Sequence, residues 1–149
     1  MSRTPSSSRP TARSLQAVKI ASTMLDEIVA HAVRDAPNEC CGIVAARSGQ
    51  ATVVHVTENL AASPFRFEVD GPELFRLLDS IESDGGELGA IYHSHTRSDP
   101  YPSQTDVNFS SGWPGVEWII VGVDKQGETD VHSYLIDDGL ISEVELELT

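Results

Sequence analysis

The period of the hydrophobic positions changes several times along this chain, and each change marks an element. From Ser22 to about residue 35, the positions Met24, Leu25, Ile28, Val29, Ala32 and Val33 recur at the three-and-four spacing of one helix face. Ser22 or Thr23 is placed to cap that helix, and Pro37 to end it. CGIVAAR and ATVVHVTEN follow as two apolar, β-branched runs around Ser48-Gly49-Gln50, the pattern of a hairpin. FRFEV reads as an extended piece. Between Pro72 and Ser83, the positions Leu74, Phe75, Leu77, Leu78 and Ile81 return to helical spacing, with proline near the start. ELGAIYHSH is a further strand, and a short helix should begin near Ser103. WIIVGV, DVHSYLI and ISEVELEL then read as strands, the last alternating Val144, Leu146 and Leu148 with Glu143, Glu145 and Glu147. No internal repeat is present. This order predicts a single α/β domain over residues 16–149, two or three layers around a mixed sheet, and neither a βαβ ladder nor an all-β sandwich.

Composition narrows the picture in three ways. Apolar residues make up 40% of the 149, yet no run approaches the ~18 needed to cross a bilayer, and the start has no apolar core for a secretion signal. A soluble, cytoplasmic protein is therefore expected. The only cysteines, Cys40 and Cys41, are adjacent, which suits neither a disulfide nor a CxxC metal motif and fits a reducing compartment. Charge is divided unevenly: residues 1–19 hold Arg3, Arg9, Arg13, Lys19 and no acid, whereas the remainder holds six basic and 23 acidic residues, a net −17. Such a body repels a phosphate backbone and an anionic membrane, which argues against both as partners. Residues 1–15, rich in Ser and Pro, read as a disordered basic tail.

The chemistry concentrates in IYHSHTRSDPYPSQTDVNF, residues 91–109. On an extended strand, positions i and i+2 share a face ~6.6 Å apart, so His93 and His95 can converge on one ion while Ser94 points away. Asp106 lies eleven residues beyond His95, across a loop in which Pro100 and Pro102 can turn the chain back. Two imidazoles and a carboxylate leave one tetrahedral position open, the arrangement of a catalytic rather than a structural zinc. Each piece also has an ordinary structural reading. A His-x-His pair can simply pack, and Ser103-x-x-Asp106 is how many helices start, with the serine as cap and the acid favoured by the helix dipole. The two readings of the cap are compatible. A hydrolase would still need a carboxylate to move the proton.

His93-Ser94-His95, seven residues, Ser103, two residues and Asp106 together resemble the H-x-H-x7-S-x2-D signature of the JAMM metallopeptidases, the catalytic branch of the MPN domains. Pro37-Asn38-Glu39-Cys40-Cys41-Gly42 resembles that family's upstream P-x-E-x-CG segment. The likeness runs over roughly residues 16–145. It implies a cytidine-deaminase-like α/β fold, a mixed curved sheet flanked by helices with the site at one sheet edge, and an enzyme. His93, His95 and Asp106 would bind one Zn²⁺, Glu39 would be the general base and acid, and Ser103 would donate a hydrogen bond to the tetrahedral oxygen. Eukaryotic members that act on ubiquitin are longer, with insertions, and usually carry proline where this chain has Thr96. The compact form and the HSHTRSDPYPSQTD wording resemble bacterial members that process ubiquitin-like sulfur carriers, which implies a partner with a Gly-Gly tail and release of its C-terminal cysteine. A general isopeptidase and a metal-free binding scaffold are the other readings. Arg97 and Tyr101 are candidates for contacting the substrate's terminal carboxylate or backbone. His31, His55 and His132 lack ligand spacing and read as surface or satisfied residues; Cys40, Cys41, Trp113 and Trp118 read as packing.

Overall fold

The computed structural model describes residues 18–149, so the basic tail expected at 1–15 lies outside the described residues. The elements are β1 (Lys19–Ile20), α1 (Ser22–Asp35), β2 (Cys41–Arg47), β3 (Gln50–Thr57), α2 (Gly71–Ser83), β4 (Glu87–His95), α3 (Gln104–Ser110), β5 (Glu117–Val123), β6 (Thr129–Asp137), β7 (Leu140–Val144) and β8 (Glu147–Leu148). They form one eight-stranded mixed sheet in the order β7-β6-β5-β4-β2-β3-β1-β8. The pairs β4–β5, β1–β3 and β1–β8 are parallel and the rest antiparallel.

Strand alternation decides the layers. On one face Val44, Ala90, Tyr92, Ile119 and Val121 pack with Ile28 and Ala32 of α1; on the other Ile43, Ala45, Ile91, Trp118 and Ile120 meet Leu74, Leu77, Leu78 and Ile81 of α2 and Val107 of α3. The result is three layers, with the sheet buried between helices. β4, α3 and β5 make one parallel crossover, a βαβ unit inside an otherwise largely antiparallel sheet. The β2–β3 turn has Ser48 and Gly49 at φ 52° and 80°, both left-handed as a two-residue hairpin requires. Gly42 is demanded by a close approach, since a Cβ there would stand 2.3 Å from the ring of Tyr92.

Two expectations change. α1 is not capped by Ser22 or Thr23: its N-cap is Ala21, which makes no side-chain cap. Pairing of Ile20 in β1, whose carbonyl accepts from Thr149 N at 2.9 Å, leaves only Ala21 to turn the chain, so both hydroxyl residues fall inside the first helical turn. FRFEV, expected only as an extended piece, joins no ladder. Residues 59 and 60 hold it instead: Asn59 Nδ2 donates to Arg66 O, Asn59 Oδ1 accepts from Glu68 N, and Leu60 N donates to Glu68 O at 2.9 Å. ISEVELEL is two strands rather than one: Val144 pairs with Ser133 at one sheet edge, and Glu147 with Lys19 at the other. Three residues span at most ~11 Å, so the two edges must approach each other, and the sheet curls around α1.

Candidate metal and catalytic centre

β4 is central in the sheet, fourth of eight strands, and the site stands at its C-terminal end rather than at a sheet edge. Cys41 lies opposite His93 and Gly122 opposite His95, so the histidines are fixed by neighbours on both sides. Both face the α2–α3 layer. Ser94 points to the α1 side, where its Oγ accepts from Cys40 N at 2.8 Å and ties β4 to the chain just after Glu39. Beyond His95 the loop folds back because Pro100 packs onto Gly122, where a Cβ would be 3.1 Å from the proline ring. Tyr134 Oη donates to Pro100 O at 2.6 Å and pins the return. α3 then opens with a capping box: Ser103 Oγ accepts from Asp106 N at 3.1 Å, and Ser103 N donates to Asp106 Oδ2 at 3.0 Å. The cap aims the aspartate at the histidines.

Three donor atoms thereby converge. His93 Nε2 is 3.1 Å from His95 Nε2, and Asp106 Oδ2 is 3.1 Å from His93 Nε2 and 3.4 Å from His95 Nε2. Donors around a tetrahedral ion at ~2.0 Å are ~3.3 Å apart, so the spacing fits a zinc-sized ion with no side-chain movement. All three residues are buried. His95 Nδ1 donates to Asp99 O at 2.7 Å, which leaves its Nε2 lone pair pointing at the cluster, the usual outer support of a metal-binding imidazole. His93 Nδ1 has no partner among the described residues; its ring is set by stacking on Phe67 at 4.6 Å and by the edge of Trp118 at 6.3 Å.

Burial and the buried carboxylate act against each other on the two imidazoles. Burial lowers the pKa of His93, against the pull of Asp106. Burial acts the same way on His95, but the hydrogen bonds to Asp106 and Asp99 O outweigh it and the net shift is upward. Burial opposes ionisation of Asp106, yet the bonds from both histidines and from Ser103 N hold its carboxyl well below the ordinary range. Glu39, also buried, is pushed up to about 7 chiefly by desolvation, with Asp106 adding and His95 subtracting.

Glu39 lies two residues before Cys41, the first residue of β2, and by strand alternation falls on the face of Cys41 and His93. Its N–H donates to Ser63 O at 2.9 Å, and its carbonyl accepts from Asn59 Nδ2 at 2.9 Å. Thr96 Oγ1 donates to Pro37 O at 2.6 Å and also reaches Pro64 O at 3.4 Å, which joins the end of β4 to the Glu39 segment and to the loop before α2. Asn59, Phe67, Thr96 and the Asp99 carbonyl are site-building groups that the motif spacing does not reveal. Ser103 is exposed beside the cluster; as its oxygen accepts the cap bond, its own proton remains free to donate. Of the residues set aside, His31 is buried and satisfied by Tyr92 Oη at 2.7 Å and Asp35 at 3.2 Å, and His132 is paired with Glu143 and Asp130. Cys40 and Cys41 are buried free thiols. Trp118 lies in the core and Trp113 packs against it.

The description "Prokaryotic homologs of the JAB domain" matches residues 21–137. The chain belongs to the JAMM/MPN+ family. It is a hydrolase. This JAMM protein is 37% identical over 128 residues to the desampylase of Haloferax volcanii, across 81% of this chain and 90% of the relative. It is 32% identical over 126 residues to the CysO-cysteine peptidase of Mycobacterium tuberculosis, across 83% of this chain and 86% of that one. The fold matches a JAB1/MPN domain protein from Archaeoglobus fulgidus with TM-score 0.60 at 22% identity, covering 88% of this chain and 98% of the other. Among the described residues, no helix is long and apolar enough to cross a membrane.

Proposed function

We propose that this chain is a cytoplasmic zinc peptidase that hydrolyses the bond after the C-terminal Gly-Gly of a ubiquitin-like sulfur carrier and releases cysteine. The observation that carries the chemistry is the convergence of three buried donors at tetrahedral spacing, with the buried carboxyl of Glu39 on the same face. His93, His95 and Asp106 hold the zinc, whose contribution when bound is Lewis acidity toward the scissile carbonyl and toward water. The remaining work belongs to the chain. Glu39 takes a proton from the attacking water and passes it to the departing nitrogen, a role that suits a carboxyl held near neutrality. Ser103 donates to the carbonyl oxygen as it becomes negative. A tail of two glycines fits because a chain without side chains can lie close against the rim formed by the segments of Glu39, Ser63 and Thr96.

Support for the carrier comes from the relative named CysO-cysteine peptidase, matched over most of both chains. The higher identity to the desampylase, whose name carries no cysteine, favours a second reading, an isopeptidase acting on protein conjugates of such a carrier. One experiment separates them. The chain is incubated with a carrier ending in Gly-Gly-Cys and, separately, with an isopeptide-linked conjugate, and the products are weighed by mass spectrometry. Loss of one cysteine residue from the carrier, with the conjugate cut at least ~10-fold more slowly, is the expected result. Efficient cutting of the conjugate with the carrier untouched overturns the proposal in favour of the second reading.

A further inference from the structure

Arg97 stands two residues beyond His95, so its Cα is within ~7 Å of that ligand's. It lies on a rim stitched from three segments: Thr96 is bonded to Pro37 O and Pro64 O, Glu39 N to Ser63 O, and the Arg97 guanidinium lies over the ring of Phe65, 5.8 Å from its centroid. Phe65 is 72% exposed, so this pair is open to solvent beside the site. Lys19, Arg34 and Arg66 each stand within 4.0 Å of a carboxylate, and Arg47 donates to Asp84 O. Arg97 has no such partner among the described residues; Arg76 of α2 and Lys125 of the β5–β6 turn share that condition, but only Arg97 stands in the loop that leaves His95. In a body of net −17, a cation beside the site that is held by a ring and not by an acid is available to an incoming anion. A ring contact uses none of the guanidinium's N–H groups, which keep the fork geometry that matches a carboxylate.

We propose that Arg97 binds the α-carboxylate of the residue to be released, and so selects a carrier with a free C-terminal residue over an isopeptide conjugate. This rests on the peptidase reading above. A one-residue leaving group places its carboxylate only ~3.5 Å beyond the scissile bond, within reach of an arginine rooted next to the metal ligands. In an isopeptide conjugate no carboxylate occupies that position. Tyr101, the other loop candidate, packs its ring edge-on against Tyr134 of β6 at 5.5 Å.

The test compares two carriers, one ending in Gly-Gly-Cys and one in Gly-Gly-Cys-amide, with the wild type, Arg97→Ala and Arg97→Lys, each checked for equal zinc content and melting temperature. The wild type should prefer the acid by about tenfold in kcat/KM, the worth of one charge-assisted pair. Arg97→Ala should lose that preference through KM, and Arg97→Lys should recover part of it. An acid preference that persists in Arg97→Ala, or a wild type that cuts both carriers equally, overturns the role of Arg97 and leaves the peptidase reading intact. A wild type that cuts neither carrier defeats the peptidase reading itself.

Discussion

Glu39 shows how a single side chain can be set against the stability of its own fold. Its carboxyl sits near 7 because burial penalises the charged form. The folded-state value lies above the ordinary carboxylate value of 4.5, so its contribution to stability is complete below about 4.5 and is lost as pH rises through about 7. In chelator-treated protein, Glu39→Gln should therefore be more stable than wild type at pH 8, by on the order of 2 kcal/mol, and nearly equal at pH 4. Urea unfolding at the two pH values measures this. The same substitution should lower peptidase turnover at least ~100-fold, because an amide cannot accept the proton. A variant that gains stability and loses turnover is the mark of a base; a Glu39→Gln protein that gains stability and keeps full turnover would make the residue an ordinary buried acid. Ser103 and Asp106 show a different economy, since one capping box both starts α3 and aims a carboxylate at the two histidines.

At the scale of elements, what the sequence discloses depends on how local the cause is. The stripe from Met24 to Val33, the runs CGIVAAR and ELGAIYHSH, and the helix after Pro72 all stand where their periods put them, because each is decided by residues within one or two turns. The same holds for His93, His95, Ser103 and Asp106, which a strand and a capped helix bring together at motif spacing. Misreadings occur where a distant partner decides. ISEVELEL alternates without a break, yet the curl of the sheet splits it between two edges. The cap of α1 moves to Ala21 because Ile20 is claimed by β8. Asn59 and Thr96 were illegible for the same reason: their partners, Glu39 O and Pro37 O, lie 20 and 59 residues away.

The curl is a property of the whole molecule, and Glu117 is one of its fasteners. From the start of β5 this buried acid accepts from Val18 N at 2.6 Å, just before β1, and from Ser133 Oγ in β6. Burial raises its pKa despite both bonds, so its stabilising share is present at acid pH and is lost as pH rises through the folded-state value. Glutamine can keep both contacts, its oxygen accepting from Val18 and its amide donating to Ser133. Glu117→Gln should raise the urea midpoint at pH 8 relative to wild type and flatten the dependence of stability on pH; a lower midpoint at pH 8 would mean that the charge itself is required. Pairing of β2 with β4, and the return loop pinned at Pro100, bring the Glu39 segment, the end of β4 and the start of α3 to one place, and the central claim is that these three regions build a zinc centre with a separate base. Metal content measured by elemental analysis tests it most directly. Wild type and Glu39→Gln should each carry about one zinc per chain, and His95→Ala should carry almost none. Equal zinc in His95→Ala, or no zinc in wild type prepared without chelator, would contradict the account.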